Sequence, residues 1–235
     1  MPKRTHDYEW LFLDLDNTIL DFGASSKKAF YHIFDSHPVS LSEQHYKRYR
    51  EINHQYWVSM EKGEISAEKL TVQRWSDFLK ELKIKADPVL LNDNYLSHIS
   101  TNPIFVKDAL ESLKQLSSKY RLMLITNGLA SVQLQRLQLT SLHTYFEHIV
   151  ISEQLGHAKP AKDFFEHCHG LAGRPLKDMV LVIGDTLTSD IKGGLDFGYH
   201  TCWYNYYMTD NESEYRPHYE VKSQLGLKEL LMEEL

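Results

Sequence analysis

The sequence is poor in cysteine and offers no disulfide framework. Its 235 residues include two cysteines, Cys168 and Cys202, and these do not form a Cys-x-x-Cys pair. Two free thiols in a reducing compartment are the simplest interpretation of this count.

Long apolar segments and an excess of basic residues are also missing. The first apolar stretch is interrupted by Asp14 and Asp16, and no apolar run precedes Asp7. We therefore expect no signal peptide, no membrane span and a cytoplasmic location. The 26 basic residues stand against 32 acidic ones, a net charge of −6. This balance argues against binding of a nucleic-acid polymer but not against a small phosphorylated substrate, because a metal can bring positive charge.

What the chain does contain is a series of short apolar runs, typical of strands buried on both faces of a parallel sheet. They cover residues 10–13, 122–125, 148–151 and 179–183. The last three are each followed by a polar turn and a helix-like pattern, and this alternation predicts a doubly wound, Rossmann-like α/β core. Residues 199–204 are predicted as a further strand. Residues 223–235 are predicted as a closing helix, with Leu225, Leu227, Leu230 and Leu231 facing inward.

One long interval breaks this alternation. About a hundred residues separate the first strand from the second, far more than a crossover helix requires. Residues 41–59 and 66–82 carry apolar side chains at helical spacing, with Gly63 between them. The sequence therefore predicts a helical domain over residues 22–100, inserted into a core formed by residues 1–21 and 101–235.

Acidic residues follow the first and the fourth apolar runs. Asp14 and Asp16 end the first, while Asp185 ends the fourth and Asp190 begins the helix after it. Each pair alone is also explained by helix capping or a turn. Ligands bind at the carboxyl ends of strands in such sheets, and four carboxylates gathered there would require a cation. Oxygen ligands without a histidine or cysteine group favour Mg²⁺.

The second and third runs are followed by residues suited to a phosphate group. Thr126, Asn127 and Gly128 offer a hydroxyl, an amide and a backbone N–H at a helix entrance. Lys159, in a Lys-Pro pair after the third run, can supply fixed positive charge. A Thr-Asn-Gly turn or a lone lysine is commonplace by itself. The evidence for a phosphate site is the ordered set: an acid pair, a threonine, a lysine and a second acid pair, each at the carboxyl end of a predicted strand.

This ordered set resembles the haloacid dehalogenase-like hydrolase superfamily, and the resemblance covers almost the whole chain. Its four motifs are matched by Asp14-Leu15-Asp16-Asn17-Thr18, Thr126-Asn127-Gly128, Lys159-Pro160 and Gly184-Asp185 with Asp190. The inserted helices are similar to the family's helical cap of the C1 type.

The resemblance implies a role for each core residue. Asp14 would be the nucleophile that takes the phosphoryl group, and Asp16 the general acid and then the general base. Thr126 would bind phosphoryl oxygens and Lys159 would neutralise charge. Mg²⁺ would be held by Asp14, by the backbone oxygen of Asp16, and by Asp185 with support from Asp190. Since dehalogenase members lack the second aspartate, its presence points to phosphate chemistry.

A closer resemblance is to the bacterial pyrimidine 5′-nucleotidase branch, carried by segments such as Tyr56-Trp57-Val58 and Thr201-Cys202-Trp203. It implies a nucleoside monophosphate substrate. Asn127 and Gly128, in the turn after the second run, are predicted to bind its phosphate. Trp57 is predicted to face the substrate and Phe22 to line the entrance. Alternatively, the aromatic residues of this segment form the packed interior of the helical domain. They are Tyr46, Tyr49, Tyr56 and Trp57.

Other functions remain open on the same motifs. A phosphatase for a phosphosugar or a sugar-acid phosphate would use the same core with a different cap, and a β-phosphoglucomutase-like enzyme would share both aspartates. A response-regulator receiver also takes phosphate on an aspartate, but it has neither an inserted cap nor an acid at the position of Asp16. We expect a monomer or a weak homodimer.

Overall fold

Six parallel strands form one sheet in the computed structural model, which describes residues 8–35, 37 and 39–232. The strands are β1 (Trp10–Leu13), β2 (Arg121–Thr126), β3 (His148–Ile151), β4 (Val180–Gly184), β5 (His200–Tyr204) and β6 (Tyr219–Val221). Their order is β3-β2-β1-β4-β5-β6, and every neighbouring pair runs parallel. This sheet confirms the predicted doubly wound fold class. Because the order reverses at β1, the carboxyl ends of β1 and β4 meet at the switch point.

Alternate side chains of the central strands enter two apolar clusters. In β1, Trp10 and Phe12 belong to one cluster, whereas Leu11 and Leu13 belong to the other. Strands β2 and β4 alternate in the same way. A strand covered on both faces has no polar side, which explains why these segments are continuous apolar runs in the sequence.

The helices fall into two groups along the chain. The first group is α1 (Phe22–Phe34), α2 (Glu43–Glu61), α3 (Ala67–Leu82) and α4 (Pro88–Thr101). The second group is α5 (Ala109–Ser117), α6 (Ala130–Leu139), α7 (Ser152–Leu155), α8 (Lys162–Leu171), α9 (Lys192–Phe197) and α10 (Gln224–Met232). In the described part of the chain, no helix is both long enough and apolar enough to cross a bilayer.

The chain divides into two compact units. The core unit runs up to Phe22 and resumes at Ile104, and the helical unit is Gly23–Pro103. The helical unit has an aromatic interior in which the rings of Tyr49 and Trp75 stack with centroids 4.2 Å apart. Tyr46 and Tyr49 are both buried, which places them in the packed interior of this unit.

The end of the chain differs from the sequence prediction in two ways. It contains a short strand, β6, that the sequence does not predict, and Leu225 does not face inward, because its side chain is 53% exposed. The inward face of α10 is formed by Gln224, Leu227 and Leu231, which are spaced by about one helical turn. Gln224 takes the first of these places because its Nε2 donates to the carbonyl oxygen of Thr18 at 2.6 Å. Residues 233–235 of the predicted helix lie outside the described residues.

Candidate active site

The loop after β1 places two carboxylates at the switch point of the sheet. The backbone N–H of Asp14 still donates to the carbonyl of Ile183 in β4, at 2.9 Å, so its position is fixed by the sheet. The chain then turns sharply, with Asn17 in the left-handed region at φ 59°. Asp14 is buried, whereas the side chain of Asp16 is partly exposed.

The turn after β4 brings two further carboxylates to the same place. Asp190 lies in a π-helical turn, Leu187–Ile191, and its Oδ2 accepts from the backbone N–H of Thr186 at 3.1 Å. A Cβ on Gly184 would lie 2.3 Å from the carboxyl group of Asp190, so this close approach requires glycine. Asp185 accepts from the Thr186 hydroxyl at 3.0 Å and from Asn17 Nδ2 at 3.2 Å.

Lys159 is a buried cation at the centre of this group. Its Nζ donates to Asp14 Oδ1 at 2.7 Å, to Asp190 Oδ1 at 2.6 Å and to the carbonyl oxygen of Ile125 at 3.0 Å. The backbone of Lys159 is held by the side chain of Asn127, which donates to its carbonyl and accepts from its N–H, both at 2.9 Å. Asn127 therefore helps to position Lys159, and its predicted contact with substrate stays a prediction.

Negative charge exceeds positive charge in this group. Burial raises the pKa of Asp14 well above its usual range, and Asp190 and Asp185 raise it further, although Lys159 opposes them. Burial and the charge of Asp190 raise the pKa of Asp185 to about 7. Burial alone would lower the pKa of Lys159, but Asp14 and Asp190 raise it above its usual value, so the lysine keeps its proton.

The three carboxylates fit a hard divalent cation. Asp14, Asp185 and Asp190 each offer an oxygen, and these oxygens lie within 4.8 Å of one another. The donors are all oxygen atoms, as Mg²⁺ prefers, and one lysine does not balance three acids. A divalent cation would remove the remaining imbalance.

The turn after β2 holds a hydroxyl whose acceptor sites are occupied. Thr126 Oγ1 accepts from the backbone N–H of Gly128 at 3.1 Å and from Gln133 Nε2 at 2.9 Å. A hydroxyl that already accepts twice has its proton left to donate. A Cβ on Gly128 would lie 2.2 Å from Gln133 Nε2, so the absence of a side chain at position 128 leaves room for that amide.

Two residues beside Asp16 are not predicted from the sequence. Arg136 Nη1 donates to Asp16 Oδ1 at 2.6 Å, and Gln133 Nε2 donates to Asp16 Oδ2 at 2.8 Å. The only sequence signal is their spacing of three residues on the helix after Thr126, which puts both on one face.

A second contact that the sequence did not indicate comes from the loop after β5. The hydroxyl of Tyr207 donates to Asn17 Oδ1 at 3.1 Å, and the hydroxyl of Tyr206 donates to Asp21 Oδ2 at 3.0 Å. This irregular loop therefore supports the turn that carries Asp14 and Asp16.

The two aromatic residues predicted to face the substrate are on the first two helices of the chain and not in the turns that carry the acidic residues. Trp57 is half-buried on α2 of the helical unit, and Phe22 is half-buried as the first residue of α1. Tyr56 is also half-buried, and its hydroxyl donates to Asp77 Oδ2 at 2.6 Å. Substrate contact by Trp57 and Phe22 stays a prediction.

Comparisons with known proteins agree on one family. The family described as haloacid dehalogenase-like hydrolase matches residues 11–204. The pyrimidine 5′-nucleotidase YjjG of Escherichia coli is 30% identical over 95% of this chain and 98% of its own length. The N-acylneuraminate-9-phosphatase of Mus musculus is 34% identical over 94% of this chain and 92% of its own length. The magnesium-bound crystal structure of the HAD-hydrolase YfnB from Bacillus subtilis has a TM-score of 0.88 at 32% identity, covering 96% of this chain and 99% of that one.

Proposed function

Because this chain belongs to the haloacid dehalogenase-like hydrolase family, we propose that it is a Mg²⁺-dependent phosphomonoesterase that forms an aspartyl-phosphate on Asp14. The observation that carries the proposal is the meeting of Asp14, Lys159, Asp185 and Asp190 at the switch point, with Asp16 two residues after Asp14. An acid beside the nucleophile suits phosphate transfer, which needs a proton donor for the leaving oxygen.

The proposed cation site uses the oxygen donors of the core unit. Asp14, Asp185, Asp190 and the backbone oxygen of Asp16 would hold Mg²⁺. When bound, Mg²⁺ would screen the charge of the phosphate and of the carboxylates, so that an anionic nucleophile can approach phosphorus. The relative YfnB has been crystallised with magnesium, which supports this choice.

The first chemical step forms a bond between a carboxylate oxygen of Asp14 and phosphorus. The bond from phosphorus to the leaving oxygen breaks, and Asp16 gives that oxygen its proton. Lys159, fixed beside Asp14, stabilises the charge on the phosphoryl group. The Thr126 hydroxyl, which has its proton left to donate, binds a phosphoryl oxygen.

The second step returns the enzyme to its starting state. A water molecule loses a proton to Asp16 while its oxygen attacks phosphorus, and the bond from phosphorus to Asp14 breaks. Inorganic phosphate leaves. One carboxylate can serve both steps because the proton it gives in the first is recovered in the second.

A pyrimidine nucleoside monophosphate is the substrate we favour. Similarity to a pyrimidine 5′-nucleotidase over nearly the full length of both chains supports this choice. A sugar-acid phosphate is the second candidate, because the similarity to an N-acylneuraminate-9-phosphatase is of the same order. A cytoplasmic location and a monomeric or weakly dimeric state stay predictions.

A panel of phosphomonoesters tests this proposal. The purified protein with Mg²⁺ is incubated with dUMP, dTMP, UMP, AMP, sugar phosphates and a sugar-acid phosphate, and released phosphate is measured. We expect preference for the pyrimidine monophosphates, loss of activity with EDTA, and loss in Asp14→Asn. Asp93→Asn, the same substitution at an exposed position of α4, should keep full activity.

Each other outcome has a definite meaning. Preference for a sugar phosphate or a sugar-acid phosphate would keep the chemistry and reject the nucleotidase assignment. Phosphate release that persists in Asp14→Asn would reject the aspartyl-phosphate. No release from any member of the panel would overturn the proposed function.

A further inference from the structure

Helix α6 buries two polar side chains on one face. Gln133 and Arg136 are 1% and 0% exposed, whereas Leu134 and Gln135 on the same helix face solvent. The helix also buries Val132 and Leu137, as an amphipathic helix normally does, so the two buried polar side chains are the exception. A buried guanidinium is costly unless its charge and its donors are matched.

These two side chains form a closed network with Asp16. Arg136 Nη1 donates to Asp16 Oδ1 at 2.6 Å and to Gln133 Oε1 at 2.8 Å. Gln133 Nε2 donates to Asp16 Oδ2 at 2.8 Å and to Thr126 Oγ1 at 2.9 Å. The amide of Gln133 thus uses its oxygen and both its hydrogens, which leaves only one orientation of the group.

The network fixes both oxygens of a carboxylate that would otherwise rotate. The side chain of Asp16 is 26% exposed, so burial alone does not hold it. The Nε2 of Gln133 donates both to the Asp16 carboxylate and to the hydroxyl of Thr126, which would contact the phosphoryl group. The two groups that would donate to the substrate, Asp16 to the leaving oxygen and Thr126 to a phosphoryl oxygen, are therefore set relative to each other by one amide.

Packing alone does not account for Arg136. Among the described residues, its Nε and Nη2 atoms have no hydrogen-bond partner although both are buried. A guanidinium retained for stability is expected to satisfy most of its donors, because each unsatisfied buried group lowers stability. Nη1, which does have partners, is the nitrogen that contacts Asp16.

We propose that Gln133 and Arg136 are positioning residues that hold the Asp16 carboxylate and the Thr126 hydroxyl in place for phosphoryl transfer. The proposal rests on the proposed function, since it assigns a use to Asp16 in that reaction. Neither residue needs to touch substrate, because each acts through the atoms that it holds.

The test compares two leaving groups. An alkyl phosphate, such as the nucleoside monophosphate that the wild type hydrolyses fastest, needs a proton on its leaving oxygen. p-Nitrophenyl phosphate releases a stable phenolate that does not. Arg136→Met should lower kcat/KM for the alkyl ester by about 10- to 100-fold, the effect expected when a proton donor is misplaced. For the aryl ester, kcat/KM should fall by no more than about threefold.

A second readout follows the breakdown of the intermediate. Since Asp16 also activates water, kcat for the aryl ester should fall in Arg136→Met even though kcat/KM is kept. Rapid mixing should then show a burst of nitrophenolate followed by slow turnover. Gln133→Met should show the same pattern, and Arg136→Lys, which retains a cationic donor, should recover part of the alkyl-ester activity.

The control is Gln135→Met, the same substitution as Gln133→Met at an exposed position of the same helix, which should behave as the wild type on both esters. Equal losses of kcat/KM on the two esters in Arg136→Met and Gln133→Met would overturn the proposal, as would unchanged kinetics on both. If Arg136→Met does not fold, Gln133→Met carries the test.

Failure of the proposed function is distinguished from failure of this proposal. A wild type that hydrolyses neither ester, like Asp14→Asn, rejects the function. In that case a crystal structure of Gln133→Met without added metal still tests the positioning. We expect the Asp16 carboxylate to leave its wild-type orientation, and an unchanged orientation would overturn the proposal.

Discussion

Lys159 in the core unit and Arg74 in the helical unit are equally buried, each about 1% exposed, but their surroundings differ in kind. The ammonium of Lys159 contacts two carboxylates, Asp14 and Asp190. The guanidinium of Arg74 donates to two neutral amide oxygens, those of Asn53 at 2.7 Å and Asn92 at 2.9 Å. Its charge also lies 5.2 Å from the ring centroid of Tyr95.

The difference shows how a buried charge can serve chemistry or packing. Around Arg74 the charge is stabilised by neutral amide dipoles and aromatic faces, although its Nε has no hydrogen-bond partner among the described residues. Around Lys159 the charges do not balance, because Asp185 adds a further carboxylate to the group. The first arrangement has no excess of carboxylates, whereas the second has an excess that a cation would neutralise. The following predictions test this contrast.

The largest effect should come from removing each cation in turn. Lys159→Met should lower kcat/KM for the best substrate by about 10³-fold, the loss seen when one donor to a transition-state charge is removed. Arg74→Met should lower it by less than about threefold. It should instead lower the free energy of unfolding by about 1–3 kcal/mol, because the amide oxygens of half-buried Asn53 and buried Asn92 lose their donor. Kinetics and denaturant unfolding measure both. Similar losses of kcat/KM in the two variants would contradict the assignment of Lys159 to the reaction and of Arg74 to packing.

A smaller effect should follow from relieving the excess charge of the core unit. Asp185 accepts from the neutral donors Thr186 and Asn17, so Asp185→Asn removes repulsion without breaking an ion pair with Lys159. In EDTA, the variant should be more stable than the wild type by roughly 0.5–2 kcal/mol.

Added Mg²⁺ should raise the Tm of the wild type but not that of Asp185→Asn. Asp163→Asn, at an exposed position of α8, should keep the wild-type response to Mg²⁺. A destabilised Asp185→Asn that still responds to Mg²⁺ would contradict both the repulsion and the cation site.

The smallest effect concerns two neighbouring serines of the helical unit. Ser26 Oγ is within 2.7 Å of the Tyr95 hydroxyl and accepts from Tyr46 at 3.2 Å. Ser25 Oγ is buried and has no hydrogen-bond partner among the described residues. Ser26→Ala should therefore lower the free energy of unfolding by about 1 kcal/mol, and Ser25→Ala should leave it unchanged or raise it. The reverse order in urea unfolding would show that the polar interior of this unit is not satisfied as described.

The fold class could be predicted because buried parallel strands leave a strong pattern. Strands β1, β2 and β4 are covered on both faces, so their apolar runs are continuous, and the acids that follow them fall at one edge of the sheet by topology. Strand β6 has only three residues, of which Glu220 is exposed, and gives no such pattern. Leu225 was placed wrongly because a buried Gln224 cannot be distinguished by type from a surface glutamine.

The same limit explains why part of the candidate site was missed. Asp14, Asp16, Asp185 and Lys159 are recognisable by type and position. Gln133 and Arg136 are not, because glutamine and arginine on a helix normally indicate a solvated face. Their burial depends on Asp16, which lies more than a hundred residues away in the chain. Only the assembled sheet reveals that partner.

The close approach of Gly128 to Gln133 limits which substitutions the chain can accept together. A side chain at position 128 would occupy the place of the Gln133 amide, so alanine at 128 requires Gln133 to leave that place or to be replaced by a smaller residue. A mutational library that varies position 128 alone and is selected for activity should therefore favour glycine. A library that varies both positions should return alanine at 128 paired with small residues at 133, as folded proteins in which Asp16 has lost one of its two donors.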